Sequence, residues 1–242
     1  MKLDALVFGA HPDDAELSIG GTIAKLTNSG LKVGVVDMTQ GEMGTRGTIE
    51  TRYAEAAEAK KILNLTLREN LKLPDGQIKP NDEFVKRTVE KIRQYQPNII
   101  FAPYFVDRHP DHEGAGKIVK EAMFCSGLHK YITSLDGQEQ TAYRPKKLYY
   151  FMQTYEFKPN MIIDVSDTFE TKMQAVKAYA TQFYNPESNE PETFISQKNF
   201  IDYLAARAKT HGFSIHKDYG EPLLCEENIE FDLVHQLREL QK

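Results

Sequence analysis

A regular alternation of apolar and amphipathic runs is the feature that most limits how this chain can fold. The apolar runs of its first half are typical of buried strands, which we predict at Leu3–Gly9, Lys32–Met38, Leu67–Leu73 and Asn98–Tyr104. The amphipathic runs that follow them are typical of helices, which we predict at Ser18–Ser29, Glu50–Leu63, Asn81–Tyr95 and Glu113–Phe124. Strands that alternate with helices in this way pair in parallel.

The fold class that follows is α/β, and we expect a Rossmann-like three-layer sandwich with a mostly parallel central sheet and helices on both faces. We expect residues 1–242 to form a single domain, because the chain shows no internal repeat, low-complexity tail or credible linker. The second half continues the mixture of elements, at Lys147–Met152, Met161–Val165, Phe169–Tyr179, Ser196–Ala208 and Phe231–Leu240.

Composition argues against nucleic acid and membranes as partners. The formal net charge is −5 with no basic block, whereas surfaces that bind nucleic acid are basic. Mean hydropathy is −0.51, and no apolar run approaches the roughly 20 residues that cross a bilayer. The segment Met1–Ala10 is too short for a signal peptide and is interrupted by Asp4. Cys125 and Cys225 are far apart beside apolar residues, which favours reduced thiols and a cytoplasmic location.

Two segments rich in histidine and aspartate follow the first and the fourth predicted strand. They read His11-Pro12-Asp13-Asp14 and His109-Pro110-Asp111-His112. Because the carboxyl ends of parallel strands meet at one edge of a sheet, the fold delivers both segments to the same place. Together they supply two imidazoles and a carboxylate, the set with which catalytic zinc keeps one position open for water. Iron(II) accepts the same set, so the sequence predicts a site for zinc, with iron as the alternative.

His11, Asp14 and His112 are the ligands that we expect from these segments. His11 and Asp14 are three residues apart at a tight turn from strand to helix, and His112 begins the next helix. In an alternative assignment, His109 is the ligand and His112 is its helper. A simpler interpretation of the acidic residues is that they lie at a helix N-terminus, where negative charge is mildly favourable.

The remaining residues of the two segments supply acid–base chemistry. Asp13 is adjacent to a ligand and not needed for coordination, so we expect it to deprotonate the attacking water and to pass the proton to the leaving amine. We expect Asp111 to hydrogen-bond to His109, which raises the pKa of that imidazole and keeps it cationic. A protonated imidazole stabilises the oxyanion of a tetrahedral intermediate.

A glycine-rich loop at Gln40–Thr48 is a candidate for substrate contact. Its glycines let the backbone approach a ligand closely. Arg46 in this loop and Arg52 in the following helix are suited to bind a carboxylate or sugar hydroxyls. The alternative is a surface loop with solvated arginines.

These motifs resemble those of the LmbE-like or PIG-L-like N-acetylglucosaminyl deacetylases. The similarity extends to Gly20-Gly21-Thr22, to Thr39–Thr48 and to Arg52, and it covers nearly the whole chain. Ala15 departs from the family pattern, in which glutamate often follows the aspartate pair; the acidic residue here is Glu16. Within the family, we expect the chain to resemble most the branch that removes acetate from N-acetylglucosaminyl malate, in bacillithiol biosynthesis.

The resemblance implies metal-dependent hydrolysis, usually with zinc, of the N-acetyl group of a small-molecule glycoside that contains glucosamine. It also implies a homo-oligomer, because family members are often oligomers and some are hexamers. The residues implied are His11, Asp14 and His112 as metal ligands, Asp13 as base, His109 as electrophilic histidine, and Arg52 and Arg46 at the substrate.

Three other functions fit parts of the sequence. A deacetylase of free N-acetylglucosamine or of chitooligosaccharides would use the same residues on another substrate. A non-haem iron(II) oxygenase would share the ligand set, but it would need the many short strands of a double-stranded β-helix. A nucleotide-binding regulatory module would share the layout, but no G-x-G-x-x-G loop follows the first strand.

Overall fold

The central layer of the protein is a mostly parallel sheet, as predicted. The computed structural model describes residues 1–230 and residue 233. Its strands are β1 (Ala5–Gly9), β2 (Val33–Thr39), β3 (Leu67–Leu73), β4 (Ile99–Pro103), β5 (Ser134–Leu135), β6 (Gln138–Glu139), β7 (Lys147–Phe151), β8 (Met161–Asp164) and β9 (Gly220–Leu224). β5 and β6 form a separate hairpin, and the others form one sheet in the order β3-β2-β1-β4-β7-β9-β8. The first five strands of this order run parallel, and β9 and β8 are antiparallel additions at one edge.

Helices cover this sheet, and two of them begin about one turn earlier than predicted. They are α1 (Asp14–Asn28), α2 (Ile49–Ile62), α3 (Asp82–Tyr95), α4 (Pro110–Ser126), α5 (Phe169–Lys177) and α6 (Phe200–Phe213). α1 was expected from Ser18 and α4 from Glu113, but acidic residues and proline are favoured in a first helical turn, and both motifs supply them. No helix in the described part of the chain combines the length and apolarity needed to cross a membrane. The predicted segment Phe231–Leu240 lies outside the described residues, apart from residue 233.

The two faces of the sheet bury separate apolar cores, because successive side chains of a strand point to opposite sides. In β1, Leu6 and Phe8 pack on the face covered by α3 and α4. Ala5 and Val7 pack on the opposite face, which α1, α2 and α5 cover. These four side chains are at most 1 % exposed. The predicted three-layer arrangement with helices on both faces is therefore confirmed.

The strand order places a crevice at the carboxyl end of β1. The chain passes from β1 to β2 and β3 on one side, and then returns to the other side of β1 as β4. The loops that leave β1 and β4 therefore diverge, which is where open α/β sheets bind their ligands. The segment between Gly9 and Asp14 and the segment between Pro103 and Pro110 both lie there.

A close approach between α4 and the segment after β3 fixes the position of this helix. A Cβ atom at Gly114 would lie 1.8 Å from the carbonyl oxygen of Ile78, so only glycine fits without a backbone shift. The carboxylate of Asp111, in the first turn of α4, accepts the Ile78 N–H at 3.1 Å. This packing holds the turn that carries His112.

We predict that Gly114→Ala lowers the free energy of unfolding by about 3 kcal/mol, because the new methyl group displaces backbone and not a flexible side chain. Urea-induced unfolding measures the change. Glu121→Ala, an exposed substitution on the same helix, is the control and should shift the midpoint little. Equal midpoints for Gly114→Ala and the wild type would contradict the close approach.

Candidate active site

The two sequence motifs meet at the crevice beside β1 and β4. The ring centroid of His11 lies 4.7 Å from that of His109 and 5.5 Å from that of His112. His109 and His112 are 4.9 Å apart and stacked. Asp13 and Asp14 line the same cavity as these imidazoles. The structure thus brings the residues of both motifs into one cluster.

The carboxylate of Asp14 lies between two imidazole nitrogens. Its Oδ1 is 3.3 Å from Nε2 of His112, and its Oδ2 is 3.7 Å from Nδ1 of His11. Ligands of tetrahedral zinc bound at about 2.0–2.1 Å are themselves about 3.3–3.5 Å apart. The distance to His112 lies in this range, and the distance to His11, from the other carboxylate oxygen, is slightly longer, so these donor atoms are close to the spacing that a small divalent ion requires.

The outer nitrogens of the same two imidazoles are held by carboxylates, and the sequence analysis missed two of these, Asp75 and Asp107. Nε2 of His11 lies 3.0 Å from Asp75 and 3.5 Å from Asp111. Nδ1 of His112 lies 2.8 Å from Asp107. Carboxylates in this position orient metal-binding histidines and fix their tautomers. The available signals were the turn at Pro74-Asp75-Gly76 and the nearness of Asp107 to the second motif, but neither indicates a partner.

Burial and charge together perturb the ionisation of these groups. Burial opposes the protonation of His11 and His112, but the surrounding carboxylates outweigh it and raise the pKa to about 10 for His11 and about 9 for His112. Burial also opposes the ionisation of Asp14, yet the two imidazoles hold the pKa of that carboxyl well below its usual range. When both imidazoles are protonated, their two positive charges balance the charge of the buried carboxylates. A divalent ion would supply the same two charges in place of these protons.

Asp13 has a strained backbone and a perturbed carboxyl group. Its φ of +123° with ψ of −24° is rare for a residue with a side chain and costs about 1–3 kcal/mol. Burial raises the pKa of Asp13 to about 7, although the guanidinium of Arg52, 3.5 Å away, counteracts the shift. Arg52 also donates to the carbonyl oxygen of Pro12. The arginine thus braces the strained turn that presents Asp13.

The prediction that the carboxylate of Asp111 accepts a hydrogen bond from His109 is wrong. The contact runs from the backbone: the N–H of Asp111 donates to Nδ1 of His109 at 3.2 Å, so His109 caps α4. The Asp111 carboxylate instead accepts the N–H groups of Gly76 and Ile78. Burial and the neighbouring His11 lower the pKa of His109, so Asp111 does not keep this imidazole cationic.

The two arginines predicted at the substrate have different positions. Arg52 lines the cavity, where it contacts Asp13. Arg46 does not line it: its Nε donates to the carbonyl oxygen of Thr181 at 3.1 Å and lies 3.7 Å from Glu190. The structure gives Arg46 a contact with the 181–190 segment in place of the predicted substrate contact, although Gly41, Met43, Gly44 and Thr45 of the same loop line the cavity.

A cavity of about 300 Å³ opens beside the imidazole cluster. Two arginines that the sequence analysis did not select line it, Arg108 and Arg207. The guanidinium of Arg108 lies 4.8 Å from the ring centre of Phe194 and has no ion-pair partner among residues 1–230. Arg207 donates to the backbone carbonyl oxygen of Gln153. The apolar part of the lining is Leu17, Met43, Phe194, Ile195, Phe200, Tyr203 and Leu204.

Comparison with known proteins identifies the family. The family described as "PIG-L: GlcNAc-PI de-N-acetylase" matches residues 6–123, which include both motifs. A diacetylchitobiose deacetylase of Thermococcus kodakarensis is 32% identical over 185 residues, which are 72% of this chain and 67% of the relative. The chain belongs to the PIG-L, or LmbE-like, deacetylase family. The resemblance inferred from the motifs is confirmed.

Other similar proteins extend the comparison. The "Probable N-acetyl-alpha-D-glucosaminyl L-malate deacetylase 2" of Bacillus anthracis is 26% identical over 196 residues, covering 74% of this chain and 80% of that protein. A crystal structure of a conserved protein from Thermus thermophilus superposes with a TM-score of 0.85 at 32% identity. That match covers 96% of this chain and 98% of the other.

We predict that Asp107→Asn weakens metal binding by about tenfold or more, because the amide removes the charge that holds the outer nitrogen of His112. Competition with a chromophoric chelator measures the affinity for zinc. Asp167→Asn, an exposed substitution with the same loss of charge, is the control and should leave the affinity unchanged. Equal affinities in the two variants would show that Asp107 does not support a metal ligand.

Proposed function

We propose that the protein is a metal-dependent hydrolase that removes the N-acetyl group from a small molecule containing glucosamine. The observation that carries this proposal is that two of the three clustered histidines are held as metal ligands usually are, and the third is not. His11 and His112 each have an outer nitrogen on a carboxylate and an inner nitrogen toward Asp14. His109 lacks a carboxylate on its Nδ1 among the described residues, because that atom accepts a backbone N–H.

The metal is assigned to His11, Asp14 and His112, with zinc as the first candidate and iron(II) as the second. Histidines that bind metals donate their other ring N–H to an acceptor, which fits His11 and His112 but not His109. The alternative with His109 as a ligand is therefore disfavoured, although nitrogens of all three rings lie within 4.8 Å of one another. When bound, such an ion polarises the acetyl carbonyl and makes water a better nucleophile at neutral pH.

Asp13 is assigned as the general base. A carboxyl group with a pKa of about 7 is poised to accept a proton from water and to release it again at neutral pH. As the water oxygen attacks the acetyl carbon, Asp13 takes the proton. When the C–N bond breaks, the same proton passes to the leaving nitrogen, and acetate and the free amine are formed.

His109 is assigned as a neutral hydrogen-bond donor. Because its Nδ1 accepts the N–H of Asp111, the proton of the neutral ring is on Nε2. An N–H donor in a buried site stabilises the negative charge that develops on the acetyl oxygen. This assignment replaces the cationic imidazole expected from the sequence.

N-acetylglucosaminyl L-malate is the first candidate substrate. Its two carboxylates need cationic partners, because buried unpaired charges are costly. Arg52 already contacts Asp13, and Arg46 does not line the cavity. Arg108 lines it and has no carboxylate partner in the described part of the chain, so we assign the malate group to Arg108.

Diacetylchitobiose is the second candidate substrate. It is favoured by the relative from Thermococcus kodakarensis and by the aromatic lining of the cavity, where Phe194 and Tyr203 offer faces on which a second sugar can stack. The single domain over residues 1–242, the homo-oligomeric assembly and the cytoplasmic location stay predictions from the sequence.

The proposed reaction is tested by acetate release from N-acetylglucosaminyl malate, diacetylchitobiose and N-acetylglucosamine after loading with zinc. We predict that Asp13→Asn lowers kcat by at least ~10²-fold and retains the metal, because a base is lost but no ligand. Metal content is measured on the same samples. A parallel loss of metal would make Asp13 a ligand, and no acetate release by the wild type from any of these substrates would contradict the proposed function.

We predict that Arg108→Ala lowers kcat/KM for N-acetylglucosaminyl malate by one to two powers of ten more than for diacetylchitobiose. A charge-assisted pair contributes roughly 1.5–3 kcal/mol to binding. The neutral disaccharide has no carboxylate, so it forms no such pair with Arg108. Arg144→Ala is the control, because Arg144 also lies 4.8 Å from a phenylalanine ring, that of Phe124, but outside this cavity. Equal losses on both substrates would show that Arg108 does not bind the malate group.

A further inference from the structure

The helix that presents Asp14 is broken one turn after it begins. Ile19 has φ of −129° and ψ of 24°, outside the helical range, so α1 consists of a short first part and a longer second part. The first part carries Asp14 into the site, and Leu17 and Ser18 of the same part line the cavity. Gly20-Gly21-Thr22, singled out in the sequence, begins the second part.

A side chain from another element binds two backbone N–H groups that follow the break. In an unbroken helix, the N–H groups of Gly21 and Thr22 donate to the carbonyl oxygens of Leu17 and Ser18. Here Glu221 of β9 accepts the Gly21 N–H at 3.0 Å and the Thr22 N–H at 2.7 Å.

The two carbonyl oxygens at the break also have partners. Nζ of Lys172, in α5, donates to Ser18 at 3.1 Å, and Arg207, in α6, donates to Leu17 at 3.4 Å. These four backbone groups are therefore bound by side chains distant in sequence. A break whose backbone groups are bound in this way is stabilised by the fold.

Glu221 and Lys172 form a buried ion pair at this point. Their charged atoms are 2.6 Å apart, and both side chains are at most 4 % exposed. Thr22 adds a hydroxyl bond to Glu221 at 2.6 Å. A Cβ atom at Gly20 would lie 3.0 Å from Lys172, so the glycine lets α5 approach the helix closely. A buried pair of this kind holds one geometry, because separating its charges in the interior is costly.

We propose that Glu221, together with Lys172, is a positioning residue for the metal site. The pair sets the angle between the two parts of α1, and this angle determines where the Asp14 carboxylate lies between His11 and His112. Glu221 acts through the helix and has no contact with the metal ligands. The proposal rests on the proposed function, since it takes Asp14 to be a ligand.

The test compares metal coordination with stability in Glu221→Gln, Thr22→Val and a control. Arg93→Met is the matched control, because Arg93 is a buried cation with four hydrogen bonds on the opposite face of the sheet. Cobalt(II) is the probe: its affinity and visible absorption report the ligand geometry, and urea unfolding reports the stability. We expect Glu221→Gln to weaken cobalt binding by about tenfold and to change the absorption, with a smaller effect in Thr22→Val.

The control should lose stability with unchanged cobalt affinity and absorption. The proposal is overturned if Glu221→Gln loses stability but binds cobalt within about twofold of the wild type with the same spectrum. If Glu221→Gln does not fold, Thr22→Val decides by the same criterion, since it removes one hydroxyl bond and leaves the ion pair. If the wild type binds no cobalt, the metal assignment itself is overturned. If the wild type binds cobalt and releases acetate but Glu221→Gln binds cobalt like the wild type, only the positioning role fails.

Discussion

The parallel pairing of β1 with β4 is the contact on which the site depends. Ala5, Leu6 and Val7 are in register with Ile99, Ile100 and Phe101, so the two strands end together at one edge of the sheet. Each motif begins within a few residues of its strand end, and the diverging loops leave a crevice between them. Without this register, the imidazoles of the two motifs would not face one carboxylate.

Because burying an unpaired charge is costly, the charged side chains around that crevice are paired with one another. The charge of Asp14 is compensated by two imidazoles, and the other ring nitrogen of each imidazole contacts a further carboxylate. A second layer beneath α1 follows the same rule, since Arg68 pairs with Asp37 and Glu16. Buried charges that are paired are held in one position, and a catalytic site requires such rigidity.

Departures from regular backbone geometry cluster at the same place. Asp13 has a positive φ, and α1 is broken at Ile19, five residues after Asp14. Arg52 braces the first irregularity through Pro12, and Glu221 braces the second through Gly21 and Thr22. The local sequence alone does not favour these conformations, so distant side chains hold them.

The sequence by itself determined the alternation of strands and helices from β1 to α4, the layers and the histidine–aspartate motifs, because periodicity and local spacing are properties of short segments. It did not predict β9 or the hairpin of β5 and β6. Only the tertiary structure decided which groups complete the site. Asp75 reaches it from the turn after β3, and Asp107 and Arg108 take their positions there only through packing, although they directly precede the second motif. Asp111 turns toward Gly76 and Ile78 instead of His109. The position of Arg46 was not predictable from the sequence either, since its neighbours in space are Thr181 and Glu190. The direction of a side chain depends on how whole elements pack, and spacing along the chain does not record it.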